Sequence, residues 1–396
     1  MSCLGRGFVS VAGIAVTLAG AAPVNAQTPG TVKTAGDVTQ ASLRSAIFQS
    51  VVAAKPKEYP AGKMAGQVAS AAGREDLVAT AAESQPACVA SGSDPVRHIA
   101  ERARATSIVI INETHGGPIE RYFIGNVLRA LAAEGYAIYA AETFSNGEDL
   151  VHDDVLNNDG WYLNEPIFGR TVRLAKSLGY KLVAYEETQD QNRASAAAHP
   201  ELSRIDRRET CQTENLMKAI FTDQPDAKVV IHVGDAHAWE RKAPWSQFAY
   251  VWMAERLKKA TGRDPLTISQ IDCVSSTTGV VIGESRLGKD GKAEVGSPVD
   301  LYVGHPALTF RDGRPAWRQD VGDKPAAVPG QFLNLTERVM IEARPESAPL
   351  ESVPIDRILL FPGEKLPLLL PPGRYRIDGY LAVGRIEAAP VIVDVK

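Results

Sequence analysis

Five runs of large apolar residues alternate along the chain with segments of helical spacing: SIVIIN (107–112), AIYAAE (137–142), KLVAYE (181–186), KVVIHVG (228–234) and LTISQID (266–272). Strands that are apolar on both faces need cover on both faces, and intervening helices supply it. The segments IERYFIGNVLRALAAEG, NEPIFGRTVRLAKSLG, RIDRRETCQTENLMKAIF and PWSQFAYVWMAERLKKATG carry apolar residues at helical intervals, and three of the four end near Gly. Ser93 or Asp94 can cap a further helix with Pro95 in its first turn. The pattern predicts an α/β fold: a mostly parallel sheet with helices on both faces.

The 396 residues exceed what one hydrophobic core usually holds. Residues 1–26 read as a signal peptide, with Arg6, the apolar stretch FVSVAGIAVTLAGAA and small residues at Val24 and Ala26. Residues 27–92 read as an Ala/Ser-rich leader, partly helical and loosely packed or disordered. The α/β domain is expected over 93–285. From 286 to 396, turn signals such as KDGK, RDGRP and LPPGRYRIDG separate short alternating runs, which predicts a β-rich C-terminal module of structural or docking character. No transmembrane span is expected in the mature chain, so the protein is expected to be periplasmic or secreted. Export makes one disulfide plausible among Cys88, Cys211 and Cys273, and sequence does not choose the pairing. With 43 Lys and Arg against 47 Asp and Glu, no broad nucleic-acid-binding face is expected.

A buried strand has no use for an acid at its end, yet four of the runs stop on ionisable residues. The first reaches Glu113 and His115, the second Glu142, the third Glu186 and Glu187, and the fourth Asp235 and His237, with His232 inside it. In an open parallel sheet these ends share one edge, where ligands bind. Glu113 and His115 are two apart, so an extended backbone would send both to one side. They read either as a base or ligand pair or as a capping acid and a surface histidine. Glu142 is flanked by neighbouring strands and needs a partner. Glu187 is expected to point to solvent, and His232 reads as a satisfied core histidine or a substrate contact. Arg208, Gln212 and Asn215 share one helix face that lines a pocket or meets water.

The chain contains no dinucleotide or P-loop glycine signature, no G-x-S-x-G elbow and no H-E-x-x-H. The motifs IINETHGG, AAETF, VAYEE, RRETCQTEN and HVGDAHA together resemble the superfamily of erythromycin esterase-like proteins, ChaN-like haem-binding uptake proteins and Tiki-type metallopeptidases, over roughly residues 95–275 and nearest the ChaN-like branch. The resemblance implies an α/β core with a site above the sheet. By position, Glu113 and His115 match the family's Gly-Glu-x-His element, Glu142 its strand-two acid, Arg208 its helix arginine and His237 its late Gly-x-x-His. Asn112 replaces the usual glycine and is expected to crowd the backbone.

The leading expectation is a hydrolase-like protein that cleaves an ester, amide or related bond of a small-molecule substrate. His115 would be the general base, Glu113 or Glu142 would orient it, and Arg208 and His237 would bind substrate or oxyanion. Glu186 joins this group, with Asp235, Gln212, Asn215 and His232 as substrate contacts. The resemblance implies a divalent metal on two histidines and a carboxylate in one branch. In another it implies a non-enzymatic haem- or iron-binding protein with a histidine or tyrosine as axial ligand. An interaction protein with a vestigial crevice is the third expectation.

Overall fold

The computed structural model describes residues 47–48, 63–77, 85–146, 150, 152–244, 246–247, 250–333, 335–387 and 389–396. The expected signal peptide and much of the leader lie outside these residues. Among the described residues no helix is long and apolar enough to cross a membrane.

The five apolar runs become strands β1 (Ile108–Glu113), β2 (Ile138–Ala141), β3 (Lys181–Ala184), β4 (Val229–Gly234) and β5 (Leu266–Ser269). They are joined by β6 (Val281–Gly283) and β7 (Leu301–Gly304) in one seven-stranded sheet of order β3-β2-β4-β1-β5-β7-β6. Only β6 runs antiparallel to its neighbour. The sheet thus continues past residue 285, where the sequence style changes. β6 and β7 are only three and four residues long, too short for a periodic signal to mark them.

Alternate residues of β1 feed two cores. Val109 and Ile111 pack with Phe123, Ile124, Leu128 and Phe168, while Ile108 and Ile110 pack with Leu216, Phe221, Met253 and Leu257. The first face is covered by α2 (Pro95–Ala103), α3 (Pro118–Ala133) and α4 (Pro166–Ser177). The second is covered by α6 (Arg204–Leu216), which follows α5 (Gln189–Ala198), and by α7 (Met253–Thr261). Asp94 caps α2, accepting the N–H of Arg97. Cys88 and Cys273 form a disulfide, tying the short strand Cys88–Val89 to the segment after β5.

The C-terminal module is an antiparallel sheet built on β8 (Val339–Pro345), β9 (Asp356–Leu360), β10 (Gly373–Leu381) and β11 (Val391–Val395). A helix at Lys63–Ala71, α1, packs on it through Val68, Ala69 and Ala72, against Met340, Leu359 and Tyr380. This part of the leader is therefore core, not loose chain. The module contains buried ion pairs: Glu342 holds Arg344 and Arg357, and Asp356 holds Arg314 and Arg318. Arg357 also donates to the carbonyls of Ala71 and Asn164, joining leader, module and α/β domain. Nearby, Val353 N–H donates to Val155 O, and Val353 enters the first core.

Replacing one member of a buried pair strands the other. Arg357→Met should lower unfolding free energy by about 3–5 kcal/mol in urea titration; a loss under about 1 kcal/mol would mean that the module is not held through this residue.

Candidate functional site

Glu113 is the last residue of β1 and lies beside Gly234 of β4. The chain then turns through Thr114 into His115, which adopts φ 63°. Glu113 and His115 do meet, at 3.0 Å from Oε1 to Nδ1, but through this left-handed turn and not through extended backbone. Two features impose the turn. The Glu120 carboxylate folds back to accept the Thr114 N–H at 2.7 Å, and Gly117, the α3 N-cap, lets it do so. A Cβ at Gly117 would stand 2.4 Å from that carboxyl carbon. The Tyr162 ring lies flat on the His115 imidazole, 3.9 Å between centroids.

Glu113 is buried and held on every side. Arg121 grips both of its oxygens, at 2.6 and 2.8 Å, and donates as well to the His115 carbonyl at 2.9 Å. His232 Nε2 lies 3.1 Å from Oε2, and its Nδ1 meets Tyr139 Oη at 2.8 Å. Burial is the strongest single influence on Glu113 and pushes its pKa up. The Arg121 and His232 charges and the hydrogen bonds from Arg121 and His115 together outweigh it, leaving the pKa well below the usual carboxylate range. With Glu113 ionised, the Nδ1 proton of His115 points at it and Nε2 keeps its lone pair.

The Cε1–Nε2 edge of His115 lies against Gly234, where an added Cβ would come within 2.1 Å. Beyond it stands Glu142, with Oε1 3.9 Å from Nε2 and Oε2 accepting the Gly234 N–H at 2.6 Å. Arg208 of α6 closes the far side. Its Nε and Nη2 hold Glu186 at 2.9 and 2.5 Å, Nη2 also reaches Glu142 at 2.5 Å, and Nη1 donates to His237 Nε2 at 3.0 Å. Burial works upward on Glu142, but the charges of Arg208, His237 and His115 lower its pKa. Burial opposes charge on His237, and Glu209 and Glu142 outweigh it, so its pKa is raised. The structure thus gathers Glu113, His115, Glu142, Glu186, Arg208 and His237 on one rim of the sheet.

The remaining sequence candidates brace this group. Gln212 donates to Glu186 Oε2 at 3.0 Å, and Asn215 to the carbonyls of Tyr185 and Glu186 at 3.1 Å. His232 is a core residue beneath Glu113. Asp235 shapes the turn before His237 at φ 46°, and its carboxylate adds to the burial that raises Asp272. Asn112 does not crowd the backbone. Its side chain bonds the carbonyl of Asp235 at 2.7 Å and the N–H of Gln270 at 2.7 Å, tying three strand ends together. Glu187 is buried against Arg204 at 2.7 Å and does not point to solvent.

Sequence reading missed Arg121, Tyr162, Glu165 and Glu209. Arg121 interrupts the apolar stripe of α3 at Ile124 and Leu128, and Glu209 that of α6 at Leu216, which continues to Ile220 in the π-helical turn after it. A charge on a buried stripe is a legible signal. Tyr162 and Glu165 precede a helix in irregular chain, and nothing periodic marks them.

The donors do not suit a divalent metal: among the described residues no three His, Cys, Asp or Glu side chains form a ligand group. Arg208 N–H groups already occupy His237 Nε2 and an oxygen of each of Glu142 and Glu186.

No family model and no curated protein matches the chain. Among solved structures, "The structure of the type III effector HopBA1" matches at 13% identity, covering 57% of this chain and 99% of that one with a TM-score of 0.31. That likeness is too weak to carry fold or function across.

Gly234→Ala should lower stability by about 1–3 kcal/mol, because the imidazole must move. In a His115→Ala background the same change should cost much less, and equal costs in the two backgrounds would remove the contact from the account. Glu120 is a second probe, since burial pushes its pKa up to about 8. Unfolded, it releases its proton near an ordinary value of about 4.3. Between these values the folded chain binds the extra proton, so this group's contribution falls as pH rises. The stability of Glu120→Gln relative to wild type should therefore improve from about pH 5 to 8. A flat difference in denaturation midpoints would contradict the raised pKa.

Proposed function

We propose that the chain is an exported hydrolase that cleaves an ester, amide or related bond of a small-molecule substrate. The observation that carries this reading is the buried Glu113–His115 pair, whose free Nε2 faces a rim closed by Glu142 and Arg208. The motif resemblance to the erythromycin esterase-like proteins points the same way.

In this reading His115 Nε2 takes a proton from water. Its 3.9 Å separation from Glu142 Oε1 is too long for a direct hydrogen bond and suits a water bonded to both. The water oxygen attacks the carbonyl carbon, and the C=O electron pair moves to oxygen. Glu113 stabilises the imidazolium that forms, as an ionised carboxylate on Nδ1 does. Arg208 receives the oxyanion. Its five N–H donors are committed to Glu186, Glu142 and His237 in four cases, so one Nη1 hydrogen remains among the described contacts. Arg208 is 27% exposed, and in this reading the remaining hydrogen is the one that meets the oxyanion. Collapse of the tetrahedral species breaks the bond to the leaving group, which takes the proton back from His115.

The test is turnover of a panel of p-nitrophenyl esters and anilides by wild type and by His115→Ala. The variant should lose about 10²–10⁴ in kcat/KM while its circular dichroism spectrum shows it still folded, with a melt lowered by loss of the buried, stacked imidazole. Wild-type rates in the variant, or no turnover of any probe by the wild type, would overturn the reading.

A further inference from the structure

We propose that Glu209 and His237 form a positioning relay that fixes Arg208 and so aims its one uncommitted N–H. What that N–H finally binds rests on the hydrolase reading; the relay itself is a matter of geometry.

Glu209 is fully buried on the apolar stripe of α6, an expensive place for a carboxylate without a purpose. Its two oxygens are divided. Oε2 accepts the N–H of Met253 at 2.6 Å, at the start of α7, which fixes the carboxylate. Oε1 lies 2.7 Å from His237 Nδ1. On the other side of the ring, Nε2 faces Arg208 Nη1 at 3.0 Å. Arginine does not lose its proton, so Nε2 must be the acceptor. A neutral imidazole has one acceptor nitrogen, which places the His237 proton on Nδ1, toward Glu209. That is the reverse of the tautomer histidine prefers in water, and Glu209 supplies the reason. Trp252 stands edge-on to the ring at 5.8 Å and limits its rotation. The charged groups around His237 are Glu209 and Arg208 from α6 and Glu142 after β2.

The consequence for Arg208 follows from the shape of a guanidinium. The two hydrogens on Nη1 lie in one plane at a fixed angle, so drawing one toward His237 sets the direction of the other. Without the relay, Nη1 would keep two loosely directed hydrogens beside a rigid Nη2. Glu209 is thus a positioning residue, acting on Arg208 through His237 and touching no substrate.

The experiment is nitrogen-detected imidazole NMR on the full chain without substrate, above the imidazole titration range, with His237 assigned by comparison with His237→Asn. The wild type should show the Nδ1–H tautomer. Glu209→Gln keeps one acceptor for the two donors, Met253 N–H and Nδ1–H, and should weaken the preference, and Glu209→Ala should shift it toward Nε2–H. An Nε2–H tautomer in the wild type, or no response to Glu209→Ala, overturns the relay. Should Glu209→Ala fail to fold, the wild-type and Glu209→Gln spectra decide alone. Kinetics on p-nitrophenyl acetate give a separate arm: Glu209→Ala should lose roughly tenfold in kcat with KM within about twofold, and Glu209→Gln should fall between it and the wild type. If the tautomers behave as stated while the wild type turns over no ester, the relay stands and the hydrolase reading falls. If the wild type is active and Glu209→Ala matches it in kcat, the relay falls and the hydrolase reading stands.

Discussion

The pairing of Arg121 with Glu113 governs the rest of the site. A carboxylate as buried as Glu113 would hold its proton if burial acted alone, and a protonated Glu113 could not draw the Nδ1 hydrogen of His115. Arg121 reverses this by meeting both oxygens at once, a geometry that a guanidinium offers and an ammonium does not. The same side chain binds the His115 carbonyl and Glu165, and it lies over the Phe168 ring at 4.8 Å. One arginine therefore fixes the charge of the acid, the backbone of the imidazole and the start of α4. Losing either partner would leave a bare charge in the interior, so fold and site stand or fall together.

That coupling extends to the C-terminal module. Glu165 caps α4 by accepting the N–H groups of Ile167 and Phe168, and it follows directly on the turn that carries Tyr162. The module grips this stretch from outside. Asn157 N–H donates to Glu351 O, Val353 N–H to Val155 O, and Arg357 to Asn164 O. The ring that covers His115 is thus placed by a loop that β8 and β9 help to hold. The module helps in this way to place the Tyr162 side of the site. Buried ion pairs lie at its centre, with Glu342 between Arg344 and Arg357.

Much of this was legible in the sequence, for identifiable reasons. Long apolar runs reveal parallel strands because both faces are buried, and Glu113, Glu142, Glu186 and His237 stood out because a charge at such a strand end has few harmless explanations. Arg208 was found by helix spacing and family motif. Arg121 and Glu209 carry the same kind of signal, as charges on apolar helix stripes, but they lie away from the strand ends. The turn at His115 was not legible. Its left-handed backbone is imposed by Glu120 folding back across Gly117, a tertiary arrangement with no local signature. Tyr162 and the docking of the module are likewise contacts between segments far apart in the chain, and alternating short strands say nothing about what they will pack against. The strands β6 and β7 escaped because three or four residues are too few to show a period.

The two arginines show how one residue type serves two ends in a single site. Each commits four N–H contacts to carboxylates, a carbonyl or an imidazole. Arg121 is 1% exposed, so its network is sealed from solvent. Arg208 is 27% exposed, and the carboxylate it grips most fully, Glu186, is itself 16% exposed. Screening by solvent makes those outer pairs worth less to stability than the inner ones, and it also makes them replaceable. Under the proposed reaction, the rim would offer a cation already oriented and only partly committed, next to an imidazole whose position the inner network has fixed. Burial graded across one ionic network is enough to separate the groups that hold the structure from the groups that remain available to a ligand.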